Sequence, residues 1–296
     1  MATGKVGPSR KMSFLRHITA CNRHDLSNYL PFYVDAVQVG VLKTYFATQL
    51  AQWPDIFQVT DKAVKLLLPD ASMEERSTSV AEVLSELVNQ GVITHLHGEQ
   101  YIATATTRER GVLRLDRAAA PYFGIRAFGQ HMNGYVVDDG ELKLWLGRRS
   151  NDRVHFPGKL DNMVAGGLPS DVGLQENLRK ECWEEAGIDS KLAARARPVG
   201  AITYNMETEK GLKPDTLYCY DLQLPPSFRP NCNDGEVASF ELLPVTEVMD
   251  IVLDSDEFKL NCNLVVIDFF IRHGYLGPDN EEYGEIISSL HPALVV

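Results

Sequence analysis

Three carboxylates fall within one helical turn of the stretch KECWEEAGI, residues 180 to 188: Glu181, Glu184 and Glu185, with Lys180 beside them. Like charges at i,i+3 and i,i+4 on a helix oppose one another by about 0.2–0.5 kcal/mol per pair. Such a face is either solvated or meets a positive charge. On a helix from about Gly173 to Ala186, Leu174, Leu178, Cys182 and Ala186 recur at i+4 steps and form an apolar stripe, with the glutamates on a different side. Gly187 can take the left-handed conformation that stops a helix. Upstream, Ala165-Gly166-Gly167 lets the backbone pass close to a ligand and offers carbonyl oxygens. Carboxylates with backbone carbonyls are the ligands Mg2+ or Mn2+ prefer, and such ions commonly sit beside substrate phosphates. The missing positive charge is therefore read as a divalent metal that arrives with a diphosphate.

An acidic pair on a helix is, alone, more often a solvated face. The context reverses that reading. The segment GGLPSDVGLQENLRKECWEEAGI resembles the Nudix box, in which Gly, five residues, Glu, seven residues, Arg-Glu-apolar, one residue, Glu-Glu, one residue and Gly-apolar follow in order. Gly166, Glu181, Cys182, Glu184, Glu185, Gly187 and Ile188 match it. Val172 stands at the first Glu and Lys180 at the Arg, two positions that pair in the family and brace the metal-binding turn. Glu176, at i,i+4 before Lys180, is expected to supply a replacement partner.

The resemblance extends along nearly the whole chain. HMNGYV, LWLGRRS, FPGKLDNMVAGG, DGEVASFELLPVTEV and LVVIDFFIRHGYLGP resemble the Nudix subgroup related to the front half of fungal thiamine pyrophosphokinase, whose members carry an extra N-terminal domain and likewise lack the first Glu. The resemblance implies Mg2+- or Mn2+-dependent hydrolysis of thiamine diphosphate and, preferentially, of its damaged oxo and oxy analogues to the monophosphates.

Hydrolysing a diphosphate needs charge neutralisation on the phosphoryl oxygens and an activated water. Glu184 and Glu185 are the first-choice ligands, with Glu181 as a ligand or as the base that orients water, and the Ala165 carbonyl as a further ligand. Glu236, in the loop NDGEV, matches the distal acid that many Nudix enzymes bring from beyond the helix; an ordinary turn carboxylate is the alternative. One of Arg148 and Arg149, at a strand end, could hold a terminal phosphate, and their opposite directions allow at most one to do so. Lys159, Asp161 and Asn162 could order the loop before the glycines or touch substrate. His131 and Asn133 on a strand, Arg272 and His273 at a helix end, and Tyr204 and Tyr218 as stacking rings complete the substrate-pocket candidates. Trp183 is expected to pack between the helix and the neighbouring domain.

The elements that must position these residues follow from the pattern of the 296 residues. Residues 9 to 24 read as a short amphipathic helix and 35 to 53 as a second. IFQVT and AVKLLLP read as strands around a turn at Asp61, 73 to 91 as a third helix ended by Gly91, and GVITHL with EQYIAT as a hairpin about HGE. APYFGI, 120 to 125, marks a boundary. Then come two strands about Asp139-Gly140, the long loop, the acidic helix, strands near RPVGAITYNME, TLYCYDLQLP and SFELLP, and helices near VTEVMDIVL and LVVIDFFIRHG. The expected fold is α+β: residues 1–125 a small α+β accessory domain, and 126–296 a Nudix α/β/α sandwich with a mixed sheet. A winged helix in the first third is disfavoured by the absence of a basic recognition helix.

A formal net charge of −11 argues against general binding to nucleic acid or anionic membranes. Five spaced cysteines without a C-x-x-C pair, and no secretory signal pattern, fit a cytoplasmic protein without disulfides. The expected partner is a small diphosphate substrate, and a homodimer is left open. Two other functions share these residues: hydrolysis of a nucleoside diphosphate derivative such as ADP-ribose or a damaged nucleotide, and a non-catalytic sensor with a decayed box, for which Val172 and Lys180 speak and the three glutamates do not.

Overall fold

The structure is a computed structural model, which describes residues 13–296. The chain begins with helix α1 (Leu15–Cys21), then β1 (Tyr29–Val34), β2 (Val37–Lys43), α2 (Thr44–Leu50), β3 (Phe57–Val59), β4 (Val64–Leu66), α3 (Met73–Asn89), β5 (Gln100–Ala103), β6 (Leu113–Asp116) and α4 (Ala120–Phe123). Strands β2-β1-β4-β3 form one sheet and β5-β6 a ribbon. Phe32, Phe46, Phe57 and Phe123 lie fully buried in the core between this sheet and its helices. Helix α3 opens on a capping box: Ser72 Oγ accepts from the Glu75 N–H while the Glu75 carboxylate accepts from the Ser72 N–H.

Two expectations fail in this part. The stretch 35–53 is half strand: β2 (Val37–Lys43) pairs antiparallel with β1, with Val39 left out at a bulge, and only Thr44–Leu50 is helical. The hairpin about HGE does not form. The Asp116 carboxylate accepts from the His97 and Gly98 N–H groups, fixing that segment as a loop, and β5 pairs with β6 instead. Residues 9–12 of the first expected helix lie outside the described residues.

The second part contains β7 (Ala127–Asp138), β8 (Glu141–Arg149), β9 (Leu160–Asn162), β10 (Val164–Gly167), α5 (Leu174–Ala186), α6 (Ser190–Ala193), β11 (Arg197–Glu207), β12 (Leu212–Gln223), β13 (Val237–Pro244), α7 (Val245–Asp254), α8 (Leu260–Arg272) and α9 (Tyr283–Ser289). The sheet order is β11-β12-β7-β8-β13, with β12 parallel to β7 and its other pairings antiparallel, a mixed sheet. Alternation along β7 sends Met132 and Val136 to the face covered by α5 and α6, and Tyr135 to the face covered by α7 and α8. The result is a helix–sheet–helix sandwich.

Strands β7 and β8 pair from Gly134–Asp138 to Glu141–Trp145 and then part. The fork is filled by the loop strands: β9 pairs with β8 at Leu146–Arg148, and β10 pairs with β7 at Gly129–Met132. This fork positions the site. Helix α1 packs on α8, with Phe14 and Phe270 ring centroids 6.0 Å apart, and so belongs to the second core. We keep the division at 125/126 as a proposal, with α1 as its exception. Among the described residues no helix is long and apolar enough to cross a membrane, and all five cysteines are unpaired.

Candidate active site in the strand fork

Helix α5 is held by its apolar stripe. Leu178, Cys182 and Ala186 are buried against the sheet, and Cys182 Sγ meets Met132 Sδ at 3.7 Å. Gly187 ends the helix at φ 65°, a conformation that favours glycine. The loop after β12 clasps the same end, with the Asn233 N–H donating to Glu184 O and the Asn231 N–H to Ala186 O. That clasp brings Glu236 into the electrostatic neighbourhood of Glu181.

The three glutamates occupy graded environments. Glu185 is 7% exposed, and its Oε2 accepts from the Ala165 N–H at 2.7 Å. The Leu168 N–H donates to Phe128 O, which makes Ala165 and His131 a pair without mutual ladder bonds. The Ala165 N–H and carbonyl therefore point off β7, one to Glu185 and the other free of the ladder. Glu181 is half-buried against Gly166, where a Cβ would stand 2.4 Å from Glu181 Cδ. Burial, then the charges of Asp161 and Glu181, push the Glu185 carboxyl up to about 8. Burial also raises Glu181, and Glu184 and Glu236 add to it.

Lys180 does not pair with Glu176. Its ammonium lies 2.9 Å from Glu184 and 3.3 Å from Glu181, so the expected brace is corrected: the cation neutralises the crowded carboxylates, and Glu176 is exposed. Burial disfavours the Lys180 charge, and Glu184 and Glu181 outweigh it, raising its pKa. Glu236 pairs with Arg153 at 2.5 Å. Trp183 is 55% exposed, not packed between domains.

Beside Glu185, inside the fork, lies a buried polar network. Asp161 Oδ2 pairs with Arg149 at 2.9 Å and with Lys259 at 3.1 Å, and Asp161 Oδ1 accepts from Cys262 Sγ–H and the Asn162 N–H. Burial works against the Asp161 charge; Lys259, His131 and Arg149 overcome it and hold the carboxyl below its ordinary value. His131 Nδ1 bonds Asn162 Oδ1 at 2.8 Å, Asn162 Nδ2 donates to Asn133 Oδ1, and Asn133 Nδ2 to Asp221 Oδ1. Asp221 in turn accepts from Arg272, and His273 Nε2 lies 3.1 Å from it. Burial, aided by Lys259, lowers His131 to about 4, so its ring is neutral. Ligand atoms of His131, Asp161 and Cys262 lie within 4.8 Å of one another, but Arg149 and Lys259 already neutralise Asp161 and oppose a further cation.

The other candidates divide clearly. Of the two strand-end arginines, Arg149 reaches the network, while Arg148 is engaged by Glu241 at 3.0 Å and Glu257 at 3.2 Å. Lys159 donates to Asp256 O and anchors its loop. Tyr204 is 1% exposed with its hydroxyl on Asp215, a core residue and not a stacking surface. Tyr218 is half-buried and stacks on Phe128. Sequence reading missed Lys259, whose position before α8 gives no local signal. It also missed Tyr101 and Arg117 of the first part. A Cβ on Gly167 would meet Tyr101 Oη at 2.3 Å and Arg117 Cζ at 3.3 Å.

Carboxylate oxygens at three depths, a carbonyl off its ladder and a glycine that admits Glu181 make an oxygen donor set suited to a hard divalent cation. Residues 132–263 match the family described as NUDIX domain, and residues 13–127 a family described as a domain of unknown function, DUF4743. Relatives include Nudix hydrolase 20, chloroplastic, and Nudix hydrolase 24, chloroplastic, of Arabidopsis thaliana, 40% identical over 288 and 281 residues, each spanning 94% of this chain and 77% of the relative. An uncharacterized Saccharomyces cerevisiae protein is 31% identical over 81% of this chain and 75% of its own length. Similar solved structures include a Deinococcus radiodurans protein (19% identity, 57% of this chain, 99% of that chain, TM-score 0.44) and the NUDIX domain of Shewanella oneidensis NrtR complexed with ADP ribose (14%, 52%, 91%, 0.41).

The chain belongs to the Nudix hydrolase family. It is a diphosphohydrolase in which an N-terminal domain precedes the Nudix domain.

Proposed function

We propose that this Nudix hydrolase cleaves thiamine diphosphate, and preferentially its damaged oxo and oxy analogues, to the monophosphate and inorganic phosphate, with Mg2+ or Mn2+ as cofactor. One observation carries the reading. The two segments that set the thiamine-related resemblance apart, GKLDNMVAGG and IRHGY, are distant in sequence yet join in one buried network, from Asn162 through Asn133 and Asp221 to Arg272 and His273. That network runs beside Glu185.

Glu181, Glu184, Glu185 and the Ala165 carbonyl would hold the ion, with Glu236 approaching from the far loop. Bound there, it would neutralise phosphoryl oxygens and acidify water. The chain's own residues do the rest. Glu181, its proton affinity raised by burial, would take the proton of the attacking water where it is not itself a ligand of the ion. Lys259 and Arg149 share the single charge of Asp161, and the positive charge left over would favour a phosphate at the mouth of the fork. Water adds to one of the two phosphorus atoms, the bridging P–O bond breaks, and the monophosphate and inorganic phosphate separate, the water's oxygen ending on the phosphorus attacked.

A phosphate-release screen with Mg2+ and Mn2+ over thiamine diphosphate, its oxo and oxy analogues, ADP-ribose and nucleotides tests the reading. Release confined to nucleotides would replace the substrate, and binding without release would make the protein a sensor. The free thiols accord with a reducing compartment such as the cytoplasm.

A further inference from the structure

The loop 168–173 joins β10 to α5 and sets where the catalytic helix begins. Its own means of support are few: Gly173, the N-cap of α5, has no side chain to cap the helix, and Val172 carries no charge. The support comes from the N-terminal domain. Arg108 lies in a turn just before β6, and its Nη2 donates to both the Pro169 and the Val172 carbonyls, the latter at 3.0 Å. The Ser170 N–H donates to Gln100 O at 2.8 Å, as if extending β5. Tyr101 Oη is lodged against Gly167, and Ile102 packs with Leu168, Phe128 and Leu174. The loop is thus gripped along its length by residues 100–108.

General helix stabilisation does not account for Arg108. A cation beside a helix N-terminus opposes the helix dipole. Its placement is instead explained by the two carbonyls, which are the protein acceptors of its guanidinium among the described residues and which charge-assisted bonds hold firmly. The Arg108 Nε is buried without a partner, so those two bonds fix the group.

We infer that Arg108 is a positioning residue for the Nudix site, and that the N-terminal domain is the brace that holds the metal-binding helix in register with β10. Glu181 rests on Gly166, and Glu185 bonds Ala165. A loop free to shift would move α5 against both contacts. The domain contributes to turnover through the loop and not by touching substrate.

The test uses the full chain and the variants Arg108→Gln and Arg108→Met, with Arg108→Lys as the conservative control. Amide hydrogen exchange is read across 168–173 without substrate, so its outcome is separate from the thiamine reading. Loss of the grip should speed exchange in that loop alone. On whichever diphosphate the wild type hydrolyses, kcat should fall about ten- to a hundredfold, the cost of a displacement near 1 Å, with KM little changed. Arg108→Lys should recover part of both. Unchanged loop exchange and unchanged kcat in Gln and Met variants would overturn the inference. So would a rise in KM at constant kcat, which would put Arg108 on the substrate, or faster exchange throughout the protein, which would make it a general stabiliser.

Discussion

The Glu181 carboxyl rests on the backbone of Gly166 with no room for a side chain between them: a Cβ there would lie 2.4 Å from Cδ and 2.6 Å from Oε2. Gly166→Ala must therefore displace the carboxylate. We expect kcat to fall on the order of a hundredfold, with little loss of stability, because the atoms a Cβ would meet are the far end of the flexible Glu181 side chain. Steady-state kinetics beside a denaturation curve checks this, and wild-type turnover in that variant would remove Glu181 from the reaction.

Glu185 couples the site to pH. Its carboxyl titrates near 8 in the folded, metal-free protein against an ordinary value of 4.5. Between those values the folded state holds a proton that the unfolded state has released, so stability falls with rising pH. The contribution is complete below 4.5 and is lost through about 8. Glu185→Gln has no such titration. In chelator, the wild-type melting temperature should drop relative to that variant from pH 5 to pH 9, while the variant loses hydrolysis in Mg2+ or Mn2+. Parallel melting curves across the range would show that Glu185 is not held protonated.

Lys180 and Glu176 should behave differently from one another. Glu176→Gln removes an exposed carboxylate that the Lys180 ammonium does not engage, so turnover should be unchanged and stability within about 0.5 kcal/mol. Lys180→Met removes the cation that sits between Glu181 and Glu184. The more negative site should reach half-maximal activation at a few-fold lower Mn2+ concentration. Weaker metal activation in that variant would mean that Lys180 shapes the site more than it competes for it.

Asp161 carries two cations in a buried setting, Arg149 at 2.9 Å and Lys259 at 3.1 Å. Asp161→Asn leaves both without a counter-charge and should cost about 3–5 kcal/mol in a urea titration. A cost below 1 kcal/mol would mean that the cluster is open to water.

Local pattern told the story where one helix or hairpin contained it. The i+4 stripe of Leu178, Cys182 and Ala186 with Gly187 after it located α5, and Asp139-Gly140, at φ 49° and 83°, located the β7–β8 turn. The stretch 35–53 misled because Leu42, Phe46 and Leu50 recur at i+4 and project a helix backward over Val37, Val39 and Val41, whose alternate spacing belongs to a strand; pairing with β1 decides it. Helical spacing also offered Lys180 two partners, Glu176 and Glu184, and the crowding of Glu181 with Glu184 settled the choice. Lys259 reaches the fork, and Tyr101 and Arg108 reach Gly167 and the loop after it, only through tertiary folding, so no window of sequence around them carries the signal.

We propose a Nudix site that hydrolyses thiamine diphosphate analogues through the carboxylates of α5. Its most direct test is a set of kcat/KM values for the oxo analogue, thiamine diphosphate and ADP-ribose with Mg2+ and with Mn2+, for the wild type and Glu185→Gln. The oxo analogue should be hydrolysed fastest, thiamine diphosphate should follow, and the variant should lose both activities. A preference for ADP-ribose, or equal values in the wild type and the variant, would contradict it.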